Sequence, residues 1–376
     1  MPHAIVVGGG VGGLTVTAAL HRKGWTVTLY ERAASLEPVG SGLALGPNAL
    51  RALDTIDAGD AMRKLAAFQG EGGLRSWKGG WLNRTTAETA AARYGDPTVV
   101  SLRSALVDVL LDRVPPDSLR LGAEVESVDP ETGEVVTAGG AERADLVVAA
   151  DGINSRIRAA LFPGHPAPRS VGLTAWRFLT PAVPDPRPTE TWGRGRVFGV
   201  MPIADGEIYC YATAPAVPGT TVPDEKAELD RLFGDWHDPI PALVANADPA
   251  RVLRNDIHDM AEPLPSYHRG RVALLGDAAH PMTPNLGQGA CQAIEDAVVL
   301  AHEVTDGGGL PAYTAARLPR TTGIVRRSHN LARLSGLSAP PLAALRDTAI
   351  RAANLLGPGA LLKQADSLFM WQPPRA

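Results

Sequence analysis

The stretch AIVVGGGVGGLTVTAALHRKGWTVTLYER, residues 4–32, decides the fold. Ala4 to Val7 reads as a buried strand. A glycine-rich turn follows, a helical pattern runs from about Gly12 to Lys23, and Gly24 stops it before a second strand, Thr26 to Tyr30. That is one βαβ unit. Gly8, Gly10 and Gly13 occupy the three positions of a dinucleotide-binding turn: the sharp bend, the close approach of backbone to a pyrophosphate, and the close packing of helix on strand. The amides at the helix start, around Gly10, Val11 and Gly12, are placed to hold phosphate. Glu31 ends the second strand 18 residues after Gly13, where a carboxylate can accept ribose hydroxyls. This motif alone does not separate NAD from FAD.

A chain of 376 residues favours two domains plus a helical tail. The 36 basic and 40 acidic residues give a net charge of −4, and the arginines are scattered, which argues against a nucleic-acid partner and for a small molecule. Cys210 and Cys291 are too few for a disulfide framework, a thiolate metal cluster or a redox dithiol, and they point to a reducing compartment. The nine histidines show no metal-ligand spacing, so no metal is expected, and His280 reads as a loop or core residue rather than a base. No G-x-S-x-G nucleophile motif is present. With no charged and apolar leader, and no run of about 18 apolar residues, a cytoplasmic protein without a membrane partner is expected.

Further along, Ser101 is a candidate cap for a helix with apolar positions at Leu102, Leu106, Val109 and Leu110. Leu119, Leu121, Ala123 and Val125 alternate as one strand, and a hairpin arm then leads into a buried strand, Asp145 to Ala150. Between Pro163 and Pro249, Pro-rich turns separate short strands (Gly172 to Leu179, Arg196 to Met201, Glu207 to Thr213), which suggests an antiparallel sheet. Another buried strand, Val272 to Leu275, runs into Gly276-Asp277 and then a helix, and beyond Tyr313 the chain is mostly helical. The division expected is a discontinuous nucleotide domain (1–64, 98–163 and 250–334), a substrate domain (65–97 and 164–249) and a C-terminal helical segment (335–376).

Two more motifs narrow the cofactor. VVAADGINSRIR, residues 147–158, and GRVALLGDAAHPMTPNLGQGACQAIEDA, residues 270–297, resemble the Asp-Gly and Gly-Asp signatures of the FAD-dependent aromatic hydroxylases, the class A flavoprotein monooxygenases. GSGLALGPNALRAL, residues 40–53, matches their usual segment after the first βαβ unit. The chain is similar to salicylate, hydroxybenzoate and FAD-dependent urate hydroxylases over about four-fifths of its length. The resemblance implies an α/β fold: a doubly wound, Rossmann-like FAD-binding domain, an inserted antiparallel β-sheet substrate domain and a C-terminal helical tail. It also implies non-covalent FAD, NAD(P)H as a transient co-substrate, and O2 added at flavin C4a, the hydroperoxide hydroxylating a small aromatic or heteroaromatic substrate; a monomer or homodimer is expected, which the sequence does not fix. One fingerprint and no cysteine pair argue against a disulfide-type reductase. A flavin-dependent epoxidase or oxidase on a secondary metabolite, and a non-catalytic flavin-binding regulatory protein, stay open.

Asp277, at a strand end, suits the ribityl hydroxyls of a flavin, a loop cap being its plain alternative. Amides around Pro284, Gly287, Gly289 and Ala290 at a helix start would favour negative charge on the flavin N1/O2 edge. By resemblance, Arg103 reaches the FAD phosphates or ribityl chain, Val125 contacts adenine through its backbone, and Arg32 frames the adenosine end with Glu31. Asp151 organises Arg158, Leu43 and Leu45 after Gly42 pack near the flavin, and Pro281 lies beside its ring system. Cys291 departs from the Asn of many relatives. In the substrate region, alternation puts Tyr209 with Tyr211, and Arg196 with Phe198, each pair on one strand face. Together with Trp176 and Arg177 they are the candidates for an aromatic wall with a cation, core packing being the alternative for each. The flavin, rather than a side-chain acid or base, is expected to carry the chemistry.

Overall fold

The strand His3–Val7 sits at the centre of a six-stranded sheet, between Leu146–Ala149 and Thr26–Glu31, all three parallel. The computed structural model describes residues 1–36, 41–67, 70–204, 206–354 and 362–375. Val272–Leu274 extends the sheet in parallel on one side and Leu119–Leu121 on the other, with His268–Arg269 as an antiparallel edge. The helix Val11–Arg22 crosses over from the first strand to the second. It is buried from Val11 to Leu20, because it is covered by the helices Arg103–Leu111 and Gly289–Thr305 as well as by the sheet. Chain order reverses between His3–Val7 and Leu146–Ala149, and the crevice beyond their carboxyl ends is where an open α/β sheet takes its ligand.

The second sheet has seven strands, in the order Leu253–Asp259, Arg169–Pro181, Glu207–Pro215, Val197–Pro202, Thr189–Trp192, Glu71–Ser76 and Trp81–Thr86. Alternation divides its residues between two faces. Ile208, Cys210, Ala212 and Ala214 join Trp176, Phe178, Phe198 and Val200 under the helices Glu225–Phe233 and Ile240–Ala245, in an apolar core of their own. Leu179, Met201, Tyr209 and Tyr211 take the opposite face. A two-stranded ribbon, Gly42–Leu45 with Val99–Leu102, joins the two layers: Leu45 and Val99 enter the nucleotide-domain core, while Val100 and Leu102 pack against the tyrosine face.

Several sequence boundaries move. Ser101 and Leu102 belong to the ribbon, so the next helix begins at Arg103 and Ser101 does not cap it. The strand expected from Leu119 to Val125 is two strands in different sheets, because Gly122 turns the chain at φ +66°. The weakly periodic 65–97 region supplies two strands and a helix, Ala87–Tyr94, and the seven-stranded sheet runs on to Asp259, past the boundary set at 249. The C-terminal segment includes the helices Pro340–Asn354 and Asp366–Phe369; residues 355–361 and 376 of it, and Gly40 of the quoted 40–53 motif, lie outside the described residues.

Charge is buried where the long helices meet. Glu295 and Asp296 have no exposed surface and Arg317 is 1% exposed. Arg317 donates to Asp296 and to Glu295, each at 2.6 Å, and Arg320 donates to both oxygens of Glu295 at 2.7 and 2.8 Å. Asn48 donates to Glu295 at 2.7 Å, while Asp296 also accepts the Gly276 N–H at 3.0 Å and lies 2.5 Å from His280 Nε2. Burial opposes the Asp296 charge, but His280, Arg317 and these hydrogen bonds outweigh it and hold the carboxyl at about 2, below its ordinary 3.8.

Replacing Arg317 with Met leaves two buried carboxylates short of a partner, and such a loss costs about 3–5 kcal/mol. A depressed carboxyl contributes stability that is present above its ordinary value and lost as pH falls toward the folded value. Urea titrations should therefore show wild-type stability declining between pH 3.8 and about 2 through this group. Arg317→Met should be less stable at pH 7 and begin its acid decline at higher pH. Equal urea midpoints at pH 7 would contradict this account of the cluster.

Candidate functional site

The glycine turn after His3–Val7 is shaped by close approach. A Cβ at Gly8, whose φ is +109°, would fall 2.4 Å from Ala150 O, and one at Gly13 would fall 1.8 Å from Gly8 O. The turn is also held by Glu31, whose two carboxylate oxygens accept the N–H groups of Gly9 at 2.6 Å and Ala33 at 2.8 Å. Gly10 caps the helix Val11–Arg22 without a side chain in the way, so the amino-terminal dipole of a twelve-residue helix opens onto the crevice. A cleft of about 360 Å³ lies here, lined by Gly8, Gly10, Glu31, Arg32, Arg103, Val125 and Asp151 among others. Arg103 reaches to 3.5 Å from where a Gly10 Cβ would be. Asp151 Oδ1 is buried without a partner, its other oxygen accepting from Ile157 N–H at 3.4 Å. Backbone donors, two arginines and two carboxylates fit a dinucleotide: cations and amides for pyrophosphate, carboxylates for sugar hydroxyls.

An adjoining cleft of about 560 Å³ shares Gly10, Arg103, Ala150 and Gly152 with the first. Val11, Gly12, Gly42, Leu43, Asp277, Gly289 and Ala290 line it. Asp277 is exposed to the cleft yet surrounded by protein, and this desolvation raises its pKa against the pull of His280, Arg103 and Arg158. Arg158 does not hydrogen-bond Asp151. It donates to the carbonyls of Ile153 at 2.7 Å, Ala278 at 3.1 Å and Asp277 at 3.3 Å, and so ties the loop after Leu146–Ala149 to the loop after Val272–Leu274. Gly289 and Ala290 begin the helix Gly289–Thr305. Pro284 and Gly287 bound the preceding turn without lining the cleft. Leu45 and Pro281 are buried, and Pro281 O accepts the Met260 N–H. Cys291 is buried too, its thiol 3.5 Å from Ala44 O, which leaves it unable to face the cleft.

The substrate candidates separate by sheet face. Tyr209, Tyr211 and Arg177 lie on the side toward the clefts: Arg177 lines the larger one, and a Cβ at Gly42 would fall 2.5 Å from the Tyr209 ring. Trp176 and Phe198 lie on the other side. Trp176 donates to Glu225, and Phe198 packs edge-on against Phe178 and Phe233. Trp176 and Arg177 are neighbours in one strand, so they cannot share a wall. Arg196 donates to Leu232 O, at the helix-covered side, and does not line the clefts. Residues not singled out from sequence also enter: Arg254 and Asn255 line the larger cleft, Asn255 accepts from Arg177 at 3.1 Å, and Glu190 accepts the Tyr211 hydroxyl. The signal for Glu190 was its alternation with Trp192 in Thr189-Glu190-Thr191-Trp192. Among the described residues no three His, Cys, Asp or Glu gather to hold a metal ion, and no helix is long and apolar enough to cross a membrane.

Comparison with known proteins agrees with this geometry. Residues 2–328 match a family model described as an FAD binding domain. The chain is 40% identical over 341 residues to an aurachin C monooxygenase/isomerase of Stigmatella aurantiaca, covering 88% of each chain. It is 31% identical over 339 residues to an FAD-dependent urate hydroxylase of Klebsiella pneumoniae subsp. pneumoniae, covering 86% of this chain and 88% of the other. The crystal structure of Klebsiella pneumoniae HpxO complexed with FAD and uric acid superposes with a TM-score of 0.90 at 27% identity, over 99% of this chain and 97% of that one. A glycine cradle, a Gly-Asp loop and a sheet of this order, matched along their whole length, place the chain in the FAD binding domain family of flavoprotein monooxygenases.

Proposed function

We propose that this protein hydroxylates a small aromatic or heteroaromatic substrate, using FAD, NAD(P)H and O2. The observation that carries the reading is the pair of joined clefts, one built as a dinucleotide cradle and the other lined by Gly42, Leu43, Arg177 and Asn255, with the Tyr209 ring packed behind Gly42. When bound, FAD supplies the redox chemistry, taking a hydride from NAD(P)H and activating O2 so that one oxygen atom enters the substrate and the other leaves as water. The chain's residues do the positioning. Glu31 and Asp277 are the acceptors for sugar and ribityl hydroxyls, Arg103 and the Gly10 helix start are the phosphate donors, and the amides at Gly289 and Ala290 offer positive potential at the far end of the larger cleft. Asp151, which lines the first cleft and has a buried oxygen without a partner, is a further acceptor for the adenosine half, where Arg32 and Val125 form the rim. The tyrosine face orients a flat ring and keeps water from the reaction. Burial pushes the Tyr209 hydroxyl up to about 12, so at neutral pH it stays a phenol and a hydrogen-bond donor. The scattered charge and the cleft support a small molecule rather than a nucleic acid as the partner.

Two predictions follow from the cradle and the wall. Asp277→Ala and Glu31→Ala each remove a hydroxyl acceptor, and Glu31→Ala also orphans the Gly9 and Ala33 N–H groups. A charged hydrogen bond is worth roughly 1.5–3 kcal/mol, so each variant should bind FAD about tenfold or more weakly in a fluorescence titration. Unchanged dissociation constants in both would remove the cradle from the binding account. The reaction itself is tested by NADH and NADPH consumption against an aromatic substrate panel with product mass spectrometry. Turnover should rise above the substrate-free rate with an arene whose product gains one oxygen atom, and Tyr209→Ala should lower the yield of product per NAD(P)H. A panel in which consumption rises but no product gains oxygen would turn the reading toward an oxidase.

A further inference from the structure

Arg103, Arg177 and Arg254 line the larger cleft, and they differ in what answers their charge. Arg254 is engaged by protein: it donates to Glu225 at 3.3 Å and to Thr174 and Thr220 at 3.2 Å each. Arg103 lines both clefts and is the donor assigned to the phosphates. Arg177 lines only the larger cleft, and among the described residues no carboxylate lies within ion-pair distance of it. Asp277, the one carboxylate among the residues lining this cleft, feels His280, Arg103 and Arg158 rather than Arg177.

Strand register sets a second donor beside Arg177. Leu253 stands opposite Arg177 on the neighbouring strand and Asn255 opposite Ala175, so Arg177, Leu253 and Asn255 share the crevice-side face. Arg177 Nη1 donates to Asn255 Oδ1 at 3.1 Å. A guanidinium has five N–H donors and no acceptor, so it fixes the Asn255 amide with its oxygen toward Arg177 and leaves the amide NH2 as a donor. The Tyr209 hydroxyl stands beside the guanidinium, and the remaining Arg177 N–H groups have no acceptor among the described residues. Arg177 is half-buried and Asn255 exposed, so these donors are open to the cleft. Its sheet side therefore presents N–H groups and a positive charge, with Leu43 and Leu253 supplying apolar surface for a ring.

We infer that Arg177 and Asn255 form an anion-recognition pair, and that the substrate is an arene bearing a carboxylate or an ionised ring hydroxyl. This rests on the aromatic-substrate reading and narrows it to one charge class. An ion pair open to water contributes little, but a ring seated between the ribbon and the sheet displaces water from around Arg177, and the same charges then act across a lower dielectric. A neutral isostere brings an N–H or a methyl group to a place where only an acceptor pairs, a difference of roughly tenfold or more in affinity.

Dissociation constants of the FAD-loaded protein are measured by flavin absorbance for matched pairs: benzoate with benzamide, nicotinate with nicotinamide, and nitrophenolate with nitroanisole. The first two pairs read a carboxylate and the third an ionised hydroxyl. In at least one of these classes the wild type should bind the anion about tenfold or more tightly than its neutral partner. R177M removes the charge and keeps the reach of the side chain. N255D keeps the Arg177 charge but puts a carboxylate where Oδ1 now accepts from it, giving the guanidinium an internal counter-ion. Both variants should lose the anion preference while binding FAD as tightly as the wild type, and R177K, a cation without the planar fork, should keep part of it. No anion preference in a wild type that binds arenes overturns the inference, as does a preference that survives in R177M or N255D; N255D alone decides if R177M fails to hold FAD. The other anion brought to this crevice is the diphosphate of NAD(P)H. A raised KM for NAD(P)H in substrate-free oxidation by R177M, with the aryl preference intact, would assign Arg177 to the nucleotide and likewise overturn the inference. If no arene binds the FAD-loaded wild type, the aromatic-substrate reading falls and this inference falls with it, an outcome distinct from arene binding without a charge preference.

Discussion

Two adjacent carboxylates, Glu295 and Asp296, have no exposed surface, and the arrangement of the nucleotide layer follows from how they are neutralised. A buried carboxylate without partners would lose several kcal/mol of hydration, so every donor around this pair is structurally constrained. The donors come from different parts of the chain: Asn48 from the helix Pro47–Asp54, Gly276 and His280 from the Gly-Asp loop, and Arg317 and Arg320 from the helix Gly309–Ser335. Arg320 in turn donates to the carbonyls of Ser367 and Leu368, and both arginines lie against the Trp371 ring. One pair of charges thus fixes the Gly-Asp loop, the C-terminal segment and two long helices relative to one another. Asp277 and Gly289 keep their place on the cleft because Asp296 keeps its place beneath it.

The cradle was legible in sequence because its requirements are local. Gly8 and Gly13 are forced by a backbone approach that no side chain tolerates, and Glu31 by its position at a strand end; both leave a fixed spacing in the chain. Strand alternation was legible too, but only up to a choice of sides. Tyr209 with Tyr211 and Arg196 with Phe198 obey the same period of two, and what sends one pair to the cleft and the other under helices is where Glu225–Phe233 and Ile240–Ala245 pack. That is a tertiary fact. The same limit hid Arg317, Glu295 and Asp296, whose burial depends on how the helices Pro47–Asp54, Gly289–Thr305 and Gly309–Ser335 pack together. Gly122 misled for a different reason, since one positive φ divides an alternating run into strands of two sheets.

The two sides of the crevice are built by different means. The dinucleotide cradle uses backbone amides, glycines and a few carboxylates, which admit little variation. The face bearing Tyr209 and Tyr211 is made of side chains standing on a sheet whose other face is an independent apolar core, so a residue there can change without disturbing the packing beneath it. Relatives as different as a urate hydroxylase and an aurachin C monooxygenase/isomerase match this chain along most of its length.

The ribbon Gly42–Leu45 is where these two regimes meet. Leu45 is anchored in the nucleotide-domain core, Leu43 lines the larger cleft, and Gly42 is pressed against the Tyr209 ring so closely that no side chain fits. Arg103 is fixed to the same ribbon, its N–H donating to Ser41 O at 2.9 Å as the next helix begins. The Tyr209 ring therefore bears on a ribbon that also carries Arg103, so a displacement of one reaches the other. Packed interiors pass on such displacements because they cannot absorb them. The tyrosine face and the cleft arginine are mechanically joined through four residues of backbone, and glycine at 42 is the condition for that contact.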